Sequence, residues 1–306
     1  MGLPGVAYLT GVADAGWTAI GLVLGTYLNW LFVAKRIRQY TVKLNAITIP
    51  DFFSRRFHDD KRVLTAISAI VILIFFIPYT ASGFAACGKL FNSMLGVSYL
   101  PAMIISGLVI VGYTTMGGFL AASTTDLIQS IVMTIALILI LCFGVTVAGG
   151  LDVVMANARA LPGYLSMTMT HDMATNTANP YSAITVVSTM AWGLGYFGMP
   201  HILLRFMAIE DQKKLTLSRR VATVWVVISM FIAIFIGIMG YAASKAGAID
   251  VLEGSAAETV IVRLSSLMSQ YGVFAALMAG IVLAGILAST MTEVSANEVS
   301  YLVADW

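Results

Sequence analysis

The chain has 306 residues, of which 59% are hydrophobic and 10% are charged, and its mean hydropathy is +0.91. A soluble domain carries roughly 25% charged residues and could not bury this much apolar surface, so the composition excludes a soluble globular protein. The net charge of +2 gives no indication of nucleic-acid binding, and two cysteines, Cys87 and Cys142, suggest neither a metal cluster nor a disulfide framework.

Seven segments have the length of about 20 mostly apolar residues that a membrane-spanning helix needs. In chain order they are residues 16–34, 64–91, 98–117, 120–148, 181–200, 221–244 and 272–291. The predicted fold class is therefore an all-α polytopic membrane protein, with residues 1–306 forming a single transmembrane domain. Between the spans, 150–180 is predicted as a long loop rich in Thr, Met and Asn, and 246–271 as a second loop that contains a stretch with helical spacing.

The basic residues predict the orientation of these spans. Most of the 17 Lys and Arg residues lie in 35–62 and 201–220, two loops that share one side of the membrane if there are seven spans. Cytoplasmic loops are enriched in Lys and Arg, so both loops are predicted to lie in the cytoplasm. The chain is then a multi-pass protein of the cytoplasmic (plasma) membrane, with its N-terminus outside and its C-terminus inside.

The fifth span contains WGLGYFGMP at 192–200, which permits two interpretations. GLGYFG matches the G-x-G-x-x-G pattern of dinucleotide-binding loops, and the β-branched stretch ITVVST before it could be a strand. That fold needs a parallel sheet, which the neighbouring segments do not supply, and Pro200 would fall inside the following helix. In a membrane, Pro200 instead interrupts a helix, because it lacks an N–H and its ring clashes with the carbonyl of Tyr196.

An interrupted membrane helix survives where it lines protein or a water-filled cavity, because unpaired backbone groups are costly in hydrocarbon. Transporters use such breaks near the midplane to expose carbonyls and helix ends to substrates and ions. Trp192, Tyr196 and Pro200 would share one face if the helix persisted. The segment therefore predicts either a transport site or a packing face of small residues with an aromatic belt.

Three further polar positions lie in or beside apolar spans. Pro78 and Tyr79 predict a kink that carries a phenol, although kinks are also common in ordinary membrane helices. Asp126 is close to the start of the fourth span, where it either caps a helix or belongs to an ion pathway. Glu293 ends the last span among hydroxyl residues, where it either binds a hard cation such as sodium or is solvated at a frayed end.

No HExxH, GxSxG, Walker A or metal-spaced cysteine motif is present, so the sequence predicts neither an enzyme nor a bound cofactor. The three histidines, His58, His171 and His201, are all predicted to lie in or beside loops.

Several stretches together resemble the sodium/solute symporter family, and most closely its proline-transporting branch. They are WGLGYFGMPHILLRFMA at 192–208, MGLPGVAYLTG, LTAISAIVILIFF, GGFLAASTTDLIQ and AITIPDFFSRRF, and they agree with that branch in order and spacing. The resemblance implies a fold of two inverted five-helix repeats, in which the seven spans correspond to core helices two to eight. It also implies that the chain is an internal fragment, truncated at both ends, that lacks most of core helix one.

The resemblance further implies residue roles. Substrate-binding positions match Tyr79, Trp192, Tyr196 and Pro200. The sodium site matches Ser289, Thr292 and Glu293, and Asp126 matches an aspartate linked to sodium dependence. The family usually has Ser-Thr where this chain has Thr292-Glu293, and a carboxylate there would either tighten sodium binding or shift coupling toward protons.

The implied function is sodium-coupled secondary active symport of proline, or a related small solute, into the cell by alternating access. The partners would be proline, the coupling sodium ion and the lipid bilayer, with no nucleic acid. Two other functions stay open from the sequence. The chain could be the symporter-like sensory membrane module of a histidine kinase, or an inactive symporter fragment.

Overall fold

A computed structural model describes residues 2–209 and 211–286, without the side chains at 93–95, 113–114 and 118–122. Most of these residues are helical. The α-helices, numbered in chain order, are α1 Gly2–Thr10, α2 Val12–Leu28, α3 Lys35–Leu44, α4 Ile49–Arg56, α5 Val63–Leu95, α6 Tyr99–Val147, α7 Leu151–Ala160, α8 Ala183–Met190, α9 Pro200–Ala208, α10 Lys214–Lys245, α11 Val260–Met268 and α12 Val273–Ile286. A π-helical segment, Asn29–Ala34, joins α2 to α3, and 3₁₀ segments cover Ala191–Phe197 and Gly254–Thr259.

The structure confirms a mostly helical protein, consistent with a polytopic membrane protein. Among the described residues, five helical stretches are long and apolar enough to cross a membrane: Val12–Leu44, Val63–Asn92, Tyr99–Gly117, Ser123–Val147 and Lys214–Lys245. The predicted spans at 181–200 and 272–291 correspond to shorter apolar helices, Ala183–Phe197 and Val273–Ile286. Residues 287–291 of the last predicted span lie outside the described residues.

Seven spans require a turn between the third and the fourth, and the structure does not confirm this turn, because α6 continues from Tyr99 to Val147. Gly117 and Gly118 lie at the expected turn. A glycine costs a helix only about 1 kcal/mol relative to alanine, whereas no proline is present there to remove a backbone N–H. Asp126 therefore lies inside a helix, and the prediction that it caps a helix start is wrong.

The prediction of an all-α fold is corrected by a small β-hairpin in the segment expected to be a loop. Strand β1, Met169–Asp172, pairs antiparallel with β2, Thr177–Pro180, with Thr170 opposite Asn179. Asn176 adopts a left-handed backbone (φ 52°) in the turn, a conformation that asparagine tolerates better than most residues. Helical spacing did predict the helix at 246–271 correctly, where the second 3₁₀ segment leads into α11.

The described residues divide into two compact units, and the first contains the described part of Met1–Leu24 together with Ser130–Leu194 and Thr223–Ile286. Its core is organised around Tyr8, which is fully buried. The Tyr8 hydroxyl lies 2.8 Å from Ser244 Oγ and accepts the backbone N–H of Leu252 at 3.0 Å, while the Tyr164 hydroxyl donates to the Tyr8 carbonyl at 3.0 Å. Burial raises the pKa of Tyr164 well above its usual value, so this hydroxyl remains a donor at physiological pH.

Helix α1 lies very close to α10 in this unit because Gly237 has no side chain. A Cβ at that position would come within 2.3 Å of the Pro4 carbonyl oxygen. The two backbones can therefore approach only where the residue is glycine.

The second unit contains, among the described residues, Gly25–Gln129 and the described part of Gly195–Ala222. Its apolar core joins the π-helical segment, α3 and α4 to α9, with Phe206 only 1% exposed. Trp30 packs edge-on against Phe206 with 4.5 Å between ring centroids, and the Arg38 guanidinium donates to the Met207 carbonyl at 2.7 Å. These contacts fix the position of α9, which begins at the residue that interrupts the fifth span.

Candidate functional site

The fifth predicted span is an interrupted helix. Helix α8 ends at Met190, the 3₁₀ segment follows, and α9 begins at Pro200. Met199 has an extended backbone (φ −75°, ψ 112°), so the chain leaves helical geometry immediately before the proline. This confirms the predicted break. The dinucleotide interpretation is wrong, because ITVVST belongs to helix α8 and forms no strand before the glycines.

The break leaves the carbonyl of Tyr196 without its usual helical partner. In a regular α-helix this oxygen would accept the N–H of residue 200, but Pro200 has no N–H. The Asn29 side chain supplies a donor instead, with its Nδ2 2.7 Å from the Tyr196 carbonyl oxygen. An unpaired carbonyl in hydrocarbon costs several kcal/mol, so this hydrogen bond stabilises the interrupted backbone.

Asn29 is itself at an irregular point of the chain. It is 1% exposed and is the first residue of the π-helical segment Asn29–Ala34. A π-helical segment within a membrane helix shifts the side chains that follow by part of a turn, and such segments are frequent at functional sites. Asn29 therefore connects two departures from α-helical geometry, the π-helical segment and the break before Pro200.

Tyr79 lies next to the beginning of α9. Its ring stacks on that of His201, with 6.3 Å between centroids and an interplanar angle of 20°, and Phe76 meets the same imidazole edge-on at 6.2 Å. Helix α5 continues through Pro78, and the Ser82 hydroxyl donates to the Tyr79 carbonyl at 2.6 Å. The structure thus brings Tyr79 to the residue that directly follows Pro200.

The 3₁₀ segment changes the expected relation between Trp192, Tyr196 and Pro200. These residues would share a face only on a continuous α-helix, and the 3₁₀ turn and the break remove that periodicity. Pro200 is buried, Tyr196 is half-buried, and Trp192 is 70% exposed. Trp192 belongs to the first unit, whereas Tyr79, Tyr196 and Pro200 belong to the second.

Asp126 forms an ion pair with Arg205 of α9, in which the Arg205 Nη2 donates to Asp126 Oδ2. The carboxylate is largely buried, with 16% of its side chain exposed, and the guanidinium is 42% exposed. The second carboxylate oxygen, Oδ1, is buried and has no hydrogen-bond partner among the described residues, and the same holds for Gln129 Oε1. Asp126 and Gln129 are three residues apart and share one face of α6. The face of α6 that carries the ion pair thus also carries two buried oxygen acceptors.

The predicted sodium ligands Ser289, Thr292 and Glu293 lie outside the described residues, so the structure does not test them. The helix that leads to them, α12, is described as far as Ile286.

Comparison with known proteins identifies the family of this chain. The model of the Sodium:solute symporter family matches residues 1–301. The chain belongs to that family. The match confirms the resemblance to this family, which the separate sequence stretches indicated along the whole chain.

Individual members of this symporter family are similar over the same range. The high-affinity proline transporter PutP of Bacillus subtilis is 39% identical over 97% of this chain and 59% of its own length. The osmoregulated proline transporter OpuE of the same organism is 36% identical over 97% of this chain and 57% of its own. A sodium/proline symporter of Staphylococcus aureus is 37% identical over 97% of this chain and 54% of its own. The chain thus spans somewhat more than half the length of these curated relatives.

Sequence analysis did not single out three residues that contact the predicted site residues: Asn29, His201 and Arg205. Asn29 had a usable signal, because an amide in the middle of the apolar stretch GTYLNWLF is an expensive polar group inside a span. His201 and Arg205 follow Pro200 on α9. The sequence predicted a basic loop at 201–220, because Lys and Arg residues are concentrated in that segment.

Proposed function

We propose that this chain is the transport domain of a sodium-coupled symporter that carries proline into the cell by alternating access. The observation that supports this most strongly is the helix interrupted at Pro200, with its freed carbonyl held by Asn29 and its next residue stacked on Tyr79. Interrupted helices place backbone carbonyls and half-helix ends at the solute and ion sites of secondary transporters. The names of the relatives, all proline transporters, favour proline as the solute.

In this proposal, Tyr79, Trp192, Tyr196 and Pro200 bind proline. A small zwitterion needs an apolar surface for its ring and hydrogen-bond partners for its amine and carboxylate. Tyr79 and Tyr196 offer phenol groups beside the break, Trp192 offers an exposed aromatic face, and Pro200 interrupts the helix between Tyr196 and α9.

The coupling ion is sodium. Ser289, Thr292 and Glu293 provide oxygen ligands of the kind that hard cations prefer. Asp126 lies on the ion pathway, where its free Oδ1 and the Gln129 Oε1 are acceptors for a passing cation and Arg205 balances the charge between passages. This arrangement is supported by the burial of both oxygens, since a buried acceptor without a partner is uncommon in native proteins.

We also propose seven crossings of the membrane in the inverted-repeat arrangement, with the N-terminus outside and the C-terminus inside. The distribution of Lys and Arg supports this orientation. Seven crossings require the chain to reverse between Gly117 and Ser123, where α6 is continuous in the structure. A single crossing by α6 would instead place the β-hairpin on the same side as the basic segment 35–62, and that difference can be measured.

Uptake of radiolabelled proline by proteoliposomes tests the function. The complete gene product is reconstituted, and uptake is driven by an inward sodium gradient or by the same gradient of choline. We expect uptake above the intravesicular equilibrium level only with sodium, and a sodium ionophore should abolish it. Sodium-independent accumulation would contradict the coupling, and absence of proline binding would contradict the choice of solute. A third experiment replaces the sodium gradient with an inward proton gradient, because the carboxylate of Glu293 could shift coupling from sodium to protons.

A further inference from the structure

Only one of the two polar atoms of the Asn29 side chain takes part in a hydrogen bond. Asn29 uses its Nδ2 to hold the Tyr196 carbonyl, but its Oδ1 is buried and has no hydrogen-bond partner among the described residues. A leucine would fill a similar volume without an unpaired oxygen at this 1% exposed position. The benefit of an amide here must therefore come from its N–H group.

The target of that N–H group is a backbone atom whose position sets the geometry of the predicted solute site. Tyr196 lies between Gly195 and Gly198, and glycines restrict the backbone conformation little. The space beside Gly195 is also open, since a Cβ there would meet nothing within 4 Å. The Gly198 N–H donates to the Gly195 carbonyl at 3.0 Å, which closes the turn around Tyr196. The link from Asn29 attaches this turn to a different helix.

We infer that Asn29 is a positioning residue of the solute site: by holding the Tyr196 carbonyl, it fixes the interrupted backbone and the direction in which the Tyr196 side chain points. Asn29 itself does not contact the solute. The inference rests on the proposed function for its effect on proline, but the attachment of the backbone is a property of the fold alone.

The test uses the complete gene product in lipid nanodiscs, with Asn29→Leu as the main variant and Asn29→Ala as a smaller change in case leucine disturbs folding. Two quantities are measured: hydrogen exchange of the backbone amides in 192–200, and the dissociation constant for proline. Loss of one buried hydrogen bond should speed exchange at residues 195–199 about tenfold and weaken proline binding by a similar factor. Uptake at saturating proline should change by less than about twofold, because positioning acts on binding.

Thr41→Val is the matched control. Thr41 is also a buried polar residue, 5% exposed, that follows Asn29 on the same run of helix, and its hydroxyl has no hydrogen-bond partner among the described residues. Its carbonyl accepts the backbone N–H of Ala46 and not one from 192–200. Neither exchange at 192–200 nor proline binding should change in this variant.

A double-mutant cycle with Pro200→Ala tests the mechanism itself. That substitution supplies an N–H that can reach the Tyr196 carbonyl when the helix is continuous, so Asn29 is no longer needed. In the Pro200→Ala background, Asn29→Leu should change the exchange rate at 195–199 by less than about twofold. In the unmodified protein the same substitution should change it about tenfold. Equal effects in both backgrounds would show that Asn29 acts through another contact.

The outcomes separate this inference from the proposed function. Unchanged exchange at 192–200 in both Asn29 variants would overturn the inference, whatever the proline data show. Faster exchange with unaltered proline affinity would overturn the positioning role, while faster exchange together with weaker binding supports it. If the unmodified protein binds no proline, the proposed function fails, and the exchange data still decide whether Asn29 holds the break.

Discussion

At the scale of single residues, side chains distant in the sequence surround the break. Asn29 reaches Tyr196 across 167 residues, and Arg205 reaches Asp126 across 79. His201 packs on Tyr79, although nothing in the sequence predicted a contact between these two residues. The polar and aromatic groups near Pro200 are thus held by several helices of the second unit.

Removing the imidazole of His201 should weaken proline binding. His201→Ala takes away the ring that stacks on Tyr79, whereas His201→Phe keeps a flat ring there. Because an aromatic pair contributes about 0.5–1.5 kcal/mol, we expect the KM for proline to rise about threefold to tenfold in the alanine variant. The phenylalanine variant should stay within about twofold of the unmodified protein.

His58→Asn provides the control for the histidine variants. His58 is exposed, lies in the turn between α4 and α5, and has a left-handed backbone (φ 54°) that asparagine accepts. Its KM for proline should be unchanged. Equal KM values for His201→Ala and the unmodified protein would show that the stacking does not shape the solute site.

Neutralising Asp126 should reduce the apparent affinity for sodium. Asp126→Asn removes the negative charge but keeps the size, and it leaves Arg205 as an unbalanced cation that repels sodium. We expect the sodium concentration for half-maximal uptake to rise about tenfold or more, which corresponds to roughly 1.4 kcal/mol, with a smaller change in proline affinity.

Asp51→Asn is a matched substitution on the surface. Asp51 pairs with Arg55 at 2.7 Å on α4, where both side chains are partly exposed, and such a pair contributes about 0.3–0.5 kcal/mol. Its sodium dependence should stay within twofold of the unmodified protein. If Asp126→Asn behaves in the same way, Asp126 is not on the ion pathway.

At the scale of elements, the close contact between α1 and α10 depends on a missing side chain. Gly237→Ala would place a Cβ 2.3 Å from the Pro4 carbonyl oxygen and 2.7 Å from Ala7 Cβ, so one helix must move. Overpacking of this kind costs about 1–3 kcal/mol, and we expect a lower melting temperature in detergent for this variant.

Gly280→Ala tests whether this loss is specific to the contact. Gly280 lies in α12, and a Cβ there would meet nothing within 4 Å. Alanine favours a helix by about 1 kcal/mol over glycine, so stability should be unchanged or higher. A melting temperature for Gly237→Ala equal to that of Gly280→Ala would mean that α1 and α10 do not lie this close.

At the scale of the whole molecule, the number of crossings decides where the β-hairpin lies. With seven crossings, the hairpin and the basic segment 35–62 are on opposite sides of the membrane; with a single crossing by α6, they are on the same side. Both positions have exposed residues suitable for labelling, Ala174 in the hairpin turn and Lys61 between α4 and α5.

Single-cysteine labelling of intact cells measures this directly. In a background without Cys87 and Cys142, Ala174→Cys should react with a membrane-impermeant maleimide from outside, and Lys61→Cys should react only after permeabilisation. Labelling of both positions only after permeabilisation would rule out seven crossings in the proposed orientation.

The class of protein and the break at Pro200 could be predicted from local sequence. Partition into a membrane depends on the apolar length of each segment, and proline's missing N–H is a covalent property, so neither needs knowledge of the rest of the chain. The family could be recognised for the same reason, because its signature stretches are short and contiguous. Helix α11 also followed from local spacing.

The groups that stabilise the break and neutralise Asp126 could be identified from the tertiary structure alone. The roles of Asn29, His201 and Arg205 depend on which helices pack together, and that choice minimises the free energy of the whole fold over many competing pairings. The continuous α6 and the β-hairpin were missed for a related reason. Glycines and Thr-rich stretches permit several conformations, and packing with distant segments selects one of them.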